Sequence, residues 1–197
     1  MLTSELYFKN GKPKPEKLRF FVEKGGLDAD LDLTCIEMSS LEWKIQAEFS
    51  VRGGLYSKMI PIESYKESVK FEPHFKRTLV RCTRFKSGKI VETQKSWSVP
   101  DLFSTAEAFW VIEAAWKVVN ETSCKEVPFQ IFDGKEPRRG IVQRLEKAPV
   151  GGLSFAVLKI QTKNPLSLML TFANEKLNSV SFQIPLLGNI RLVRRYE

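Results

Sequence analysis

Asp28, Asp30 and Asp32, in the stretch GGLDADLDLTCIE, are the residues of this chain most like a ready-made cation site. Carboxylates at every second position open a calcium loop of the helix–loop–helix kind. That loop also needs a glycine after the third acid and a glutamate at its end. Here Leu33 follows Asp32, and the flanking pattern is that of strands. On an extended strand the three carboxylates stand about 6.5–7 Å apart and cannot converge on one ion. The spacing therefore predicts the solvated side of a strand, and no metal.

Other reactive side chains are sparse. His74 is the single histidine, so any Ser-His or Cys-His device would depend on it, and FEPHF carries no nucleophile motif. Gly53-Gly54 and Gly151-Gly152 lack the spacing of a phosphate-cradling loop. Cys35, Cys82 and Cys124 are far apart and odd in number, with no Cys-x-x-Cys or Cys/His pairing. That argues against structural zinc, leaves one disulfide plus a thiol open, and favours three packed residues. No catalytic residue and no cofactor are expected; a carboxylate-based hydrolase or isomerase is the weakest of three readings.

The elements that would position any site follow from hydrophobic periodicity. Leu27, Ala29, Leu31, Leu33 and Cys35 alternate with the aspartates. Trp43, Ile45, Ala47, Phe49 and Val51 alternate with Lys44, Gln46, Glu48 and Ser50. Both are period-two strands. RTLVRCTRF and KIVETQKSW flank Lys86-Ser87-Gly88, and VPFQIF and residues 138–146 flank Asp133-Gly134, two hairpin signals. LRFFVE, LSFAVLKIQT, LSLMLTFA, SVSFQI and NIRLVRRY bring the total to roughly ten strands at meander spacing. The opening residues 1–17, with KNGKPKPEK, read as a flexible lead-in, and 18–197 as a single domain.

One segment has a different period. STAEAFWVIEAAWKVVNE starts with Ser104 and has Glu107 three residues on, a capping box for a helix over 104–120. Phe109, Ile112, Trp116 and Val119 form one stripe, and Trp110, Ala114 and Val118 another. A helix so apolar must be covered on several sides, which a strongly curved sheet achieves. The expected class is mainly β (α+β): a curved antiparallel sheet or half-open barrel around one apolar helix.

The chain has 197 residues, 43% hydrophobic and 27% charged, with a net charge of +8. That is globular composition, without a run long enough for a spanning helix. Lys and Arg are scattered; the densest groups are Arg138-Arg139 and Arg191, Arg194, Arg195. Solvated strand faces account for most of them, and nucleic acid is not the expected partner.

The sequence is similar to an uncharacterised bacterial exported family, domain of unknown function 3108. The likeness runs through LRFFVEKGGLDADLDL, RTLVRCTRFKSGKIVE, PDLFSTAEAFWVIEAAW, VPFQIFDGKEPRRGIVQRLEK and LMLTFANEKLNSVSFQIPLLGNIRLVRRYE. It implies a cell-envelope or periplasmic protein where a signal peptide has been removed, the cytoplasm otherwise. It supplies no catalytic residues. The architecture resembles periplasmic lipoprotein carriers, whose barrel holds acyl chains against an internal helix.

The leading expectation is a non-enzymatic envelope protein that binds an apolar or lipid-like ligand through Phe109, Trp110, Ile112 and Trp116. Arg138, Arg139, Arg191 and Arg194 would meet an anionic headgroup or a membrane surface. The second expectation is a protein-interaction module that offers a sheet edge to an envelope partner. A filled interior with a long unpaired edge strand would favour it.

Overall fold

The structure is a computed structural model describing residues 1–3, 7, 17–22, 28–39, 42–54, 57–146, 149–162, 165–184 and 188–195. Most of the expected lead-in, Leu27 and the Gly25-Gly26 turn lie outside the described residues. The chain divides into two compact units. The helix unit comprises Met1–Pro13 and Pro100–Phe182, and the meander unit Lys14–Val99 and Gln183–Glu197. Both are sheets, and no described helix is long and apolar enough to cross a membrane.

The meander unit contains β1 (Lys17–Val22), β2 (Asp28–Ser39), β3 (Glu42–Gly53), β4 (Ile62–Glu72), β5 (Lys76–Phe85), β6 (Ile90–Trp97) and β13 (Gly188–Arg195). They lie in the order β6-β5-β4-β3-β2-β1-β13, every described pair antiparallel. Register puts Cys35, Ile45, Val69 and Leu79 in one cross-strand row, and all four are buried. The next row holds Trp43 against Phe71, rings 5.2 Å apart, with the Arg77 guanidinium 4.9 Å from the Phe71 ring centre. These rows are the alternation read from β2 and β3, carried across their neighbours.

The aspartates depart from expectation. Asp28 is exposed and Asp32 half-buried, but Asp30 is buried and ion-paired with Arg52 of β3. Asp30 lies opposite Ser50 in the β2–β3 ladder, which brings Arg52 within reach. Asp30 is therefore a paired structural charge and not a solvated one.

The helix unit contains β7 (Leu102–Ser104), α1 (Ala108–Glu121), β8 (Glu126–Phe132), β9 (Pro137–Arg144), β10 (Leu153–Gln161), β11 (Leu166–Ala173) and, as far as Phe182, β12 (Lys176–Ile184). The order is β12-β11-β10-β9-β8-β7, antiparallel except for the parallel β7–β8 pair. The capping box forms as the sequence predicts. The Ser104 N–H donates to Glu107 Oε2 at 2.7 Å, and the Glu107 N–H donates to Ser104 Oγ at 3.2 Å. It opens a 3-10 turn over Thr105–Glu107, and α-helix begins only at Ala108.

The sheet of this unit wraps α1. The helix packs on β7, β8 and β9. Trp116 stacks on Phe172 of β11, centroids 4.4 Å apart and planes 10° apart. Glu113 accepts the Leu177 N–H of β12 at 2.9 Å. A buried carboxylate is tolerable on such a helix because that N–H and Lys176 supply its partners. On β9, Gly140 has no Cβ because the Phe129 ring of β8 fills that space. Leu2 and Tyr7 are buried in this unit as well. The Leu2 N–H donates to the Pro128 carbonyl at 2.6 Å, and Tyr7 meets Phe103 edge-on.

The class is thus mainly β, with one apolar α-helix among the elements whose full range is described, as read. Thirteen strands are described where roughly ten were counted; β4 and the three-residue β7 were missed.

Candidate functional site

The feature most open to a partner is one side of β6. It begins at the Lys86-Ser87-Gly88 turn, where the Phe85 N–H donates to the Lys89 carbonyl at 2.8 Å and the Gly88 N–H to the Phe85 carbonyl at 2.9 Å. Gly88 has φ +82°, the left-handed conformation for which the turn needs glycine. β6 then pairs with β5 from Ile90 opposite Arg84 to Trp97 opposite Arg77. It ends the strand order, and no described strand pairs with its other edge.

Which backbone groups face that edge follows from the alternation of antiparallel ladders. Phe85 and Lys89 are a hydrogen-bonded pair. In this register the bonded pairs continue through Val91, Thr93, Lys95 and Trp97. The N–H and C=O groups of Ile90, Glu92, Gln94 and Ser96 therefore turn away from β5. Side chains from Glu92 to Ser96 are all exposed, and Ile90 is 52% exposed. Val91, Thr93, Lys95 and Trp97 share the face of the buried Leu79 row, and Ile90, Glu92, Gln94 and Ser96 share the other.

The edge is also basic. Residues 76–97 carry seven Lys and Arg against the single carboxylate of Glu92, a net +6 within the chain's +8. Three of the seven are engaged locally. Lys76 pairs with Glu72, Arg77 is buried on Phe71, and Arg81 bonds to Glu67 through Nε at 3.0 Å and a terminal nitrogen at 2.7 Å. Arg84, Lys86, Lys89 and Lys95 are exposed, with the Lys86 amine donating to the neutral Ser57 carbonyl.

Behind the edge, Glu67 of β4 is buried and takes hydrogen bonds from Tyr65 and Arg81. Burial, and then the neighbouring Glu67 charge, push the Tyr65 phenol well above its usual value near 10. Desolvation works against the Arg81 charge, but the bonds to Glu67 outweigh it and hold Arg81 above its ordinary value. The cluster fixes β4 and β5 to each other beneath the edge.

The residues singled out in the sequence fall elsewhere. Trp110, Ile112 and Trp116 are buried in the helix unit and Phe109 is half-buried. The Trp110 indole N–H is buried with no acceptor among the described residues. Arg138 is held by Asp133 at 2.9 Å and Glu136 at 2.6 Å, while Arg139 is exposed. Burial opposes the Asp133 charge, yet the Glu136 and Lys135 N–H groups and Arg138 keep its carboxyl below the usual range. In the meander unit, Arg191 is half-buried and Arg194 buried. His74 is exposed at the β4–β5 turn with φ +61°.

Cavities among the described residues are open to solvent. One of about 360 Å³ lies on the polar face of β2–β5, lined by Asp32, Thr34, Gln46, Glu48, Lys66 and Cys82 among others. Another, about 510 Å³, lies past the end of α1 between Val119, Cys124, Arg144 and Pro149. Neither is lined by Phe109, Trp110, Ile112 or Trp116. None of the three cysteines is in a disulfide: Cys35 is buried, Cys82 half-buried and Cys124 exposed.

Sequence reasoning found β6 as a strand and missed it as a site. The available signal was ETQKS, five polar residues in succession, which leaves both faces of a strand without a buried side.

No family model matches the chain, and no curated protein matches it. Among solved structures it is similar to the crystal structure of a beta-barrel-like protein of domain of unknown function DUF1849 from Brucella abortus. The TM-score is 0.60 at 8% identity, covering 92% of this chain and 97% of that one. At such identity the likeness shows the fold alone. The neighbour's domain is not the family expected from the sequence, for which no family model matches, and what the likeness shows is a β-barrel-like fold.

Proposed function

We propose that this chain is a non-catalytic interaction module that takes an extended segment of a partner protein onto β6. The observation supporting it is an edge that no described strand covers, where outward backbone groups from Ile90 to Ser96 can bond to an added strand. The packed state of Trp116 against Phe172 supports it too, since that part of the helix is covered by its own sheet.

Gln94→Pro tests the proposal. The variant loses an N–H that faces the edge and none that faces β5, so edge placement tolerates it. The expected result is an unchanged Tm, with binding to an array of ten-residue peptides reduced at least about tenfold. Peptides held equally by the Gln94→Pro variant, or an array with no bound peptide, would overturn the reading.

A second reading is favoured by the unpartnered Trp110 N–H. Burying a donor unpaired costs about 1–3 kcal/mol, which an acceptor on a bound molecule would offset. In this reading an apolar or lipid-like ligand contacts Phe109, Trp110, Ile112 and Trp116. Its headgroup meets Arg138 and the exposed Arg139 of the same unit. Native mass spectrometry of protein purified without detergent tests it: a bound lipid mass supports the carrier, and a clean mass after incubation with lipid extract rejects it. The envelope or periplasmic setting belongs to both readings, supported by the resemblance to exported proteins. Fractionation of cells expressing the natural gene tests it.

A further inference from the structure

We infer that the segment β6 accepts is acidic, with a carboxylate facing Lys95 between apolar side chains facing Val91 and Trp97. The inference rests on the edge-pairing reading and identifies the partner's chemistry. In an antiparallel addition Val91, Thr93, Lys95 and Trp97 fall at the non-hydrogen-bonded sites, because the bonded sites are Ile90, Glu92, Gln94 and Ser96. Directly opposed side chains stand closest at non-hydrogen-bonded sites, so these four select the partner most strongly. Their chemistry from one end to the other is aliphatic, hydroxyl, cation and indole. Past Val91 the exposed Lys89, Lys86 and Arg84 continue the positive field, with Glu92 as the single opposing charge between residues 76 and 97.

Charge also separates this occupant from a second copy of the chain. Two β6 strands meeting about a two-fold axis keep faces matched only where opposed residue numbers sum to an even value. Centred on Gln94, such a pair sets Lys95 diagonal to the Lys95 of the copy; centred on Thr93, it sets Lys95 diagonal to Lys89. One step either way puts lysine directly opposite lysine. Every central register is penalised by like charge, while an acidic strand meets a complementary edge.

The test uses the full chain and three synthetic ten-residue peptides with one apolar pattern. They carry Glu, Gln or Lys at the position facing Lys95, and each is also made with N-methyl groups on the amides that would face β6. Binding is read by fluorescence anisotropy at low and high salt. The Glu peptide should bind about fivefold more tightly than the Gln peptide, the ceiling for one exposed pair, and the Lys peptide more weakly than either. Lys95→Glu should reverse the order, high salt should remove it, and N-methylation should abolish binding.

If all three peptides bind alike and N-methylation still abolishes binding, the edge reading stands and the acidic partner is wrong. If the Glu peptide binds regardless of N-methylation and of Gln94→Pro, attraction without strand pairing is at work and both ideas fail. Failure of every peptide also overturns both. A twelve-nucleotide polyuridine RNA held by the wild type and released by Lys89→Glu would assign the cations to nucleic acid instead. Sedimentation showing a dimer that Gln94→Pro dissociates would assign the edge to a second copy. Either result overturns the acidic strand.

Discussion

Tyr65, Glu67 and Arg81 show how single residues hold the meander unit's sheet. A buried carboxylate is stable only while its hydrogen bonds are met, and here a phenol and a guanidinium meet them. Glu67→Ala removes the carboxylate that takes two bonds from the partly buried Arg81, and should cost about 3 kcal/mol in urea denaturation. The phenol gives a pH signature. Its folded pKa lies above the unfolded value near 10, so the unfolded chain ionises first. The associated stability is complete below about pH 10 and declines as pH rises further. Tyr65→Phe should lose about 1–2 kcal/mol at neutral pH and show a flatter decline between about pH 9 and 11 than the wild type. An unchanged alkaline slope would mean that Tyr65 is not the group responsible. The same residues explain why β4 was overlooked. With Tyr65 and Glu67 on the inward face and Lys66 and Ser68 on the outward one, the alternation is concealed wherever the inner layer is itself polar.

At the level of elements, α1 was legible because its signals are local. A capping box three residues apart and a stripe of period 3.6 are both written within about five turns of sequence. Ser104→Ala should cost about 1 kcal/mol, the value of one N-cap, and Trp116→Ala about 3–5 kcal/mol. Chemical denaturation checks both, and a Trp116→Ala cost under about 1 kcal/mol would contradict the stacked packing on Phe172. The hairpins at Gly88 and Gly134 were legible for the same reason, with φ values of +82° and +89° that require glycine. The edge status of β6 was not. KIVETQKSW reads as a strand, but whether it has one neighbour or two depends on pairings dozens of residues away. Asp30 was misjudged for a related reason, since its partner Arg52 sits on another strand.

Over the whole molecule, the three thiols report on distinct places. Cys124 should react with a thiol reagent within seconds to minutes, Cys82 more slowly, and Cys35 only when the meander unit opens. Deleting Gln183–Glu197 removes β13, the neighbour of β1. Cys35 in that variant should label at the rate of the denatured chain; retained protection would show that β13 is dispensable to the sheet. The thiols also separate what composition could say from what it could not. An odd number of cysteines left one disulfide open, and their placement in the fold leaves all three as thiols.

The pairing of β1 with β13 has a consequence for the chain during its making. Phe20 meets Arg194 and Val22 meets Leu192, so an early strand waits for one translated long afterwards. Until then, on the ribosome, β1 has β2 on one side and a bare backbone on the other, while the helix unit's later strands are still being added. Contacts so distant in sequence slow folding and leave sticky intermediates exposed for longer. A nascent chain of this design would gain from a holding chaperone, and a circular permutant opened at the Gly88 turn would bring β13 and β1 out together while making β5 and β6 the pair that must wait.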